Sequence, residues 1–479
     1  MFTAHEKTVL VVAVAIFFIF MILYAFYFYR STKTYDDYNV AGRSVSFFPY
    51  VLTIVGTAVG GSTLLGFMEK GFEKGLGQIW LQISSAMTGI IFVLFFVKRI
   101  RKIGEKHHMV SIGDYTALRY GESARFPTLI STLCAYCGIT GMQFIAVATI
   151  LQLVFGLDLF IGTLIGWALL TLKTYFGGLK AVIWSDAVLG TLQTLGIFML
   201  FFIVYVAVGK WDGISDHVEA VNRGYALDVF HIPTTELVVY FLTIGAYQFV
   251  RQDLWQRFWA AKDVKTTLRG YWAGIIISFF IGVAVILLGV FADVGLQLHQ
   301  VDPQLIYYGI IKETLPLSLI VVMIIALLAT VISTADSFCM AGASSIANDI
   351  IKPRMKEKNN SKMLKFSRFS VILMSVCSLL LAIYIPRLVE LWITGTAMLV
   401  SGLLAPVMVG LVWKGATKTA GLVAMWGGLI IAVAWQILDH PFGIHPVLIG
   451  LPLSVVLLFI VSLFTNNQSV STNINISID

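Results

Sequence analysis

The chain is short of charge and short of hydrophilic stretches. Only 12% of its 479 residues are Asp, Glu, Lys or Arg, while 58% are hydrophobic and the mean hydropathy is +0.87. A soluble domain carries about twice that charge, so this balance excludes one and indicates a polytopic membrane protein. Cysteine is scarce too. Cys134, Cys137, Cys339 and Cys377 all fall inside apolar segments, and Cys134-x-x-Cys137 lacks the soluble βαβ setting of a redox motif, so it reads as helix packing. His5, His107, His108, His217, His231, His299, His440 and His445 sit in loops or at the ends of apolar runs without ligand spacing. Neither a metal centre nor the nucleophile–base pair of an enzyme is expected from them. The first apolar run, Thr8–Tyr29, lacks a small-residue cleavage site and reads as a retained helix rather than a signal peptide.

What the chain does have is apolar runs of spanning length. They fall at about 8–29, 46–68, 77–98, 126–154, 158–178, 183–208, 235–258, 270–292, 315–348, 366–385, 389–413, 419–437 and 446–464, which predicts thirteen transmembrane helices. Basic residues explain the pI near 9.1 without nucleic acid, because 26 of the 33 Lys and Arg lie in alternate loops. The positive-inside rule then places the N-terminus outside and the C-terminus, with the polar tail 465–479, in the cytoplasm of a cell (plasma or inner) membrane.

Two stretches break the apolar monotony. Ala329–Asp349, ATVISTADSFCMAGASSIAND, carries Thr330, Ser333, Thr334, Asp336 and Ser337 within a few turns of a long apolar run. Polar groups at membrane depth are costly and mark an ion or substrate path, and hydroxyl, carbonyl and carboxylate oxygens suit a hard monovalent cation. Val55–Gly66, VGTAVGGSTLLG, packs four glycines and three hydroxyl residues into twelve positions. Glycine costs about 1 kcal/mol against alanine inside a helix, and a broken helix is tolerated at membrane depth only where its freed backbone is buried or lines a cavity. The plainer reading is close helix packing through small residues. The run lengths also permit two five-helix inverted repeats, at 46–208 and 235–413, joined by the external loop 209–234. A lead-in helix at 1–45 and additional helices at 414–464 would flank them.

Four passages, taken in order, resemble the sodium/solute symporter family, which includes the bacterial proline, pantothenate and sialic acid symporters and the sodium/glucose transporters. They are Tyr38–Ser44 (YNVAGRS), Phe176–Gly190 (FGGLKAVIWSDAVLG), Asp253–Asp263 (DLWQRFWAAKD) and Ala329–Thr334 (ATVIST). The resemblance runs from residue 38 to roughly 415. It implies an all-α, LeuT-type five-plus-five inverted repeat with one extra N-terminal helix and additional C-terminal ones.

It also implies a main sodium site made of the backbone carbonyls of Gly56, Val59 and Thr330 and the hydroxyls of Ser333 and Thr334. Adjacent hydroxyls on a helix face one ion only near an edge, so carbonyls would have to complete the shell. Their ordinary alternative is a bond back to the carbonyl four residues earlier. Some relatives hold a second sodium, whose ligands would match Asp186, Ser333, Asp336 and Ser337. Asp336 departs from the family pattern, which has a hydroxyl there. Two carboxylates in one small site would hold a cation tightly or exchange a proton, unless Asp336 pairs with a neighbouring Lys or Arg.

The solute cavity is expected between the broken helix and its neighbours, with Thr57, Gly60, Gly61, Ser62, Gln82, Gln143, Tyr247 and Gln248 as candidate contacts. Arg251, Asp253 and Arg257 read as a charge network at the inner end of a helix, with an inner gate as its sharper interpretation. No arginine falls mid-run, so a buried guanidinium clamp for a carboxylate is not expected. The resulting expectation is a sodium-coupled symporter of a small polar solute, working in the bilayer as a monomer, with no cofactor and no nucleic-acid partner. A proton-coupled carrier of the same fold is the alternative, and a membrane sensor a distant third.

Overall fold

The computed structural model describes residues 3–220, 224–355, 359–384 and 388–465. Among these the chain is helical throughout, with no strand beyond one isolated bridge between Val45 and Ala261. Ten described helices are long and apolar enough to cross a membrane, and an eleventh span forms if the bent pair Phe47–Ala58 and Thr63–Lys74 is taken as one.

That pair is the broken helix expected from the glycine-rich stretch. Its halves meet at 54°, and the chain leaves helical geometry at Val59 (φ −105°, ψ 88°) before a π-helical turn over Ser62–Gly66. Single π turns recur at functional sites because they re-aim the side chains that follow. The glycines allow close approach here: a Cβ on Gly56 would stand 2.8 Å from Ser333 Oγ, and one on Gly60 only 2.7 Å from Thr334. Gln143, buried in the Arg125–Phe155 helix, accepts the Gly61 N–H at 3.3 Å and so satisfies a donor freed by the break.

A second break divides the 49-residue helix Leu159–Ala207 at Gly178, whose φ of 61° and ψ of −173° no other residue type adopts easily. Tyr38 fills the notch. Its hydroxyl donates to the carbonyls of Thr174 and Tyr175 at 3.2 and 3.1 Å, and its ring lies where a Gly178 side chain would be.

The core is built around Leu317–Ile346, which is buried at every position from Ala326 onward. A helix buried on all faces sits inside a bundle, and this one packs against the bent helix Leu159–Ala207 and the Arg125–Phe155 helix. Below it, Arg125 Nη1 bridges Asp114 at 2.7 Å and Asp349 at 3.1 Å. Burial raises the Asp114 carboxyl, but the guanidinium outweighs it and holds the group below the usual range. The helix Ala4–Ser31 leans on the outside of the bundle and shows Ile16, Ile19, Phe20, Leu23 and Tyr27 to the surroundings, as a lipid-facing helix does. Lys418–Ile437 and Val447–Phe464 pack on Leu388–Val412, with Gly428 seated on the Ser401 backbone. The four cysteines are all unpaired.

Candidate ion and solute site

The last carbonyls of a helix have no partner within it, and those of Phe47–Ala58 end beside the buried helix. Gly56 O receives both neighbouring hydroxyls, Ser333 Oγ at 3.2 Å and Thr334 Oγ1 at 3.3 Å. Consecutive helical residues diverge by about 100°, so the two meet only because this carbonyl lies between them. Val59 O accepts Gln193 Nε2 at 2.8 Å, and the other amide atom of Gln193 is buried without a partner. Gln193 was not among the expected residues, although an amide in the apolar run 183–208 was the signal for it. Thr330 turns its hydroxyl back to Ala326 O at 2.8 Å, so that hydroxyl is not directed at Gly56 O.

Asp186 joins the same cluster from the bent helix. Ser333 Oγ donates to its Oδ1 at 2.6 Å; Thr53 Oγ1 and Ser337 Oγ donate to Oδ2 at 2.5 and 3.5 Å. Arg257 lies against it, with Nη2 at 3.4 Å from Asp186 Oδ2 and 2.6 Å from Ser337 Oγ, and Nε donating to Thr53 Oγ1 at 3.0 Å. Asp336 does not share this group. Its carboxylate forms an ion pair with Lys173 and accepts Thr174 Oγ1 at 2.7 Å. The step of about 100° between consecutive helical residues points Asp336 to Lys173 and Ser337 to Arg257.

The candidate solute cavity is small, about 50 Å³, and Thr57, Gly60, Gln82, Tyr247 and Gln248 line it together with Thr334. Gly61 and Gln143 are occupied with each other at the helix break, and the Ser62 side chain lies outside the described residues. The expectation that no guanidinium reaches the cavity is corrected. Arg251, only 4% exposed, is part of the cavity wall because the chain leaves the helix near Val250 and turns the side chain inward. Asp253 holds one edge of it at 3.1 and 2.7 Å and takes the Tyr136 hydroxyl at 2.6 Å, while the rings of Tyr247 and Phe338 flank it at 5.2 and 5.5 Å. Of the three, Arg251 lines the cavity, Asp253 holds it from behind, and Arg257 donates to the Asp253 carbonyl at 3.1 Å while facing Asp186. Tyr247 and Ser278 each bring to the cavity a buried hydroxyl that has no hydrogen-bond partner among the described residues. Phe67, Ile244 and Trp392 separate it from a wider vestibule of about 460 Å³.

A broken helix whose freed carbonyl meets paired hydroxyls, beside a polar cavity in an apolar bundle, defines an ion-coupled membrane carrier. The chain belongs to the sodium:solute symporter family, whose profile matches residues 38–430. It is similar to the osmoregulated proline transporter of Bacillus subtilis (strain 168), 24% identical over 96% of each chain. It is also similar to the sodium/proline symporter of Staphylococcus aureus, 23% identical over 97% of this chain and 94% of that one. Its fold matches the solved structure of a substrate-bound, outward-open Na+-coupled sialic acid symporter at a TM-score of 0.80 and 19% identity, covering 95% of this chain and 98% of that one. The protein is thus a multi-pass membrane transporter that couples sodium to the symport of a small organic solute, and it is not an enzyme.

Proposed function

We propose that the protein imports a small zwitterionic solute of the proline type by alternating access. Sodium would be held between the carbonyls of Gly56, Val59 and Thr330 and the hydroxyls of Ser333 and Thr334. The observation that carries this is shared residues: Val59 and Thr334 belong both to the ion cluster and to the cavity wall. Sodium binding draws the broken helix onto the buried one and completes the cavity, so each ligand strengthens the other. Gln193 competes with the ion for Val59 O and occupies that carbonyl when sodium leaves.

The cavity fits a carboxylate. Arg251 Nη1 reaches only Gln248 Oε1, at 3.4 Å, and the unpartnered Tyr247 and Ser278 hydroxyls add donors, while Ile139, Ile244 and Phe338 suit a compact apolar body. The relatives named for proline agree with this class.

The same reading takes thirteen spans, N-terminus outside. Leu159–Ala207 is about 74 Å long at 1.5 Å per residue, more than twice a bilayer core, and its break at Gly178 divides it into two spans. The repeats at 46–208 and 235–413, the loop at 209–234, the flanking helices, the monomeric state and the absence of a cofactor belong to it as well. The tail after 465 lies outside the described residues. The vestibule, lined from 66–81, 235–244 and 442–448, then opens to the exterior.

A thermal-shift screen of L-proline, quaternary amines, sugars and dicarboxylates, with and without sodium, tests the solute class. L-Proline should stabilise the protein only with sodium present, and Arg251→Gln should weaken it about tenfold or more, the value of a charge-assisted hydrogen bond. Stabilisation by a neutral sugar that ignores Arg251→Gln would refute the assignment.

A further inference from the structure

Four ligands would make a second sodium site: Asp186, Ser333, Asp336 and Ser337. Each is fully buried, and none of them is free to receive a mobile cation. Asp336 is bound by the Lys173 ammonium, which also donates to Ser185 Oγ at 3.3 Å, one residue from Asp186. Lys173 is itself 6% exposed and lies on the first half of the bent helix. Asp186 and Ser337 are bound by the Arg257 guanidinium, which is fully buried, and Ser333 is shared with Asp186 and Gly56.

From this arrangement we infer that two tethered protein cations, Lys173 and Arg257, stand where a second sodium would stand, and that the carrier binds a single sodium. A buried carboxylate is tolerated when a cation and hydrogen bonds satisfy it, and here side chains supply both permanently. A sodium arriving between Asp186 and Asp336 would meet the ammonium and the guanidinium at contact distance and be repelled, or would have to displace one of them into an apolar interior. The three local carboxylates, Asp186, Asp336 and Asp253, are matched by Lys173, Arg257 and Arg251, so the region is neutral before any ion enters. One sodium then leaves it with a single positive charge, which favours a solute carboxylate in the adjoining cavity.

The inference rests on the sodium-coupled reading, and counting ions separates the two. Purified full-length protein is equilibrated with saturating radioactive sodium, and bound ion per chain is measured together with the Hill coefficient of sodium-dependent tryptophan fluorescence. One ion and a coefficient near one are expected. Lys173→Met, which strips Asp336 of its ammonium, should raise the count to two. Two ions in the unaltered protein, or a count that stays at one in Lys173→Met, overturns the inference and leaves the main site intact. No bound ion in the unaltered protein overturns the sodium site itself. Should Lys173→Met fail to fold, the unaltered protein's count and Hill coefficient decide alone.

Discussion

Thr334→Ala should raise the sodium concentration needed for half-maximal stabilisation or uptake by about 10–100-fold, since a hydrogen-bonding partner of a charged group is worth roughly 1.5–3 kcal/mol. Its Oγ1 is one of two hydroxyls within reach of Gly56 O, at 3.3 Å, and its methyl packs where Gly60 has no side chain. Thr334→Ser keeps the oxygen and should retain sodium affinity within a few-fold. Thr330→Ala supplies the contrast. Its hydroxyl is bonded back to Ala326 O, and the carbonyl proposed to serve the ion survives the substitution. Sodium titration of the three variants by thermal shift distinguishes a liganding hydroxyl from a packing one. Equal losses in Thr330→Ala and Thr334→Ala would contradict the assignment.

Asp186→Ala should be severely destabilising. The carboxylate is completely buried, and it satisfies Ser333, Thr53 and Arg257 together. Removing one member of a buried charge pair typically costs about 3–5 kcal/mol, because the surviving charge is left without compensation. That is a large share of the roughly 5–15 kcal/mol by which proteins are stable, so the folded yield should drop along with the melting temperature. Asp186→Ala combined with Arg257→Met removes both charges and should recover much of the loss. A double variant no better than the single one would show that Arg257 is held by Ser337, Thr53 and the Asp253 carbonyl without needing Asp186.

The parts legible in the sequence were those in which one residue type stands out from its local background. Gly56, Gly60 and Gly61 interrupt an apolar run, and the helix does break there, at Val59 and Gly60; Ser333 and Thr334 interrupt another and do meet the freed carbonyl. Lys173 was hidden by the same logic. At the end of an apolar run a lysine reads as a loop charge, and its partner lies 163 residues away on another helix. Asp336 was noticed as an anomaly, but nothing local distinguishes a carboxylate facing a mobile cation from one facing a tethered ammonium. Arg251 was misplaced for a related reason. Charge near the end of a hydrophobic segment suggests the membrane surface, whereas the π turn at Phe241–Gly245 and the exit from helix after Val250 return it to the cavity. The break at Gly178 was read only as a gap between two runs. Its left-handed backbone and the Tyr38 side chain that fills it are tertiary features without a local signature.

The central claim is that sodium, held between the broken helix and Ser333 and Thr334, drives the solute across the membrane. Uptake into proteoliposomes tests it most directly, using the solute found by the stabilisation screen and potassium inside, at equal pH on both sides. An inward sodium gradient alone should drive accumulation above the external concentration, and Thr334→Ala should sharply reduce it at a sodium concentration near the half-maximum of the unaltered protein. Accumulation driven by a proton gradient in the absence of sodium, with Thr334→Ala unimpaired, would contradict the account.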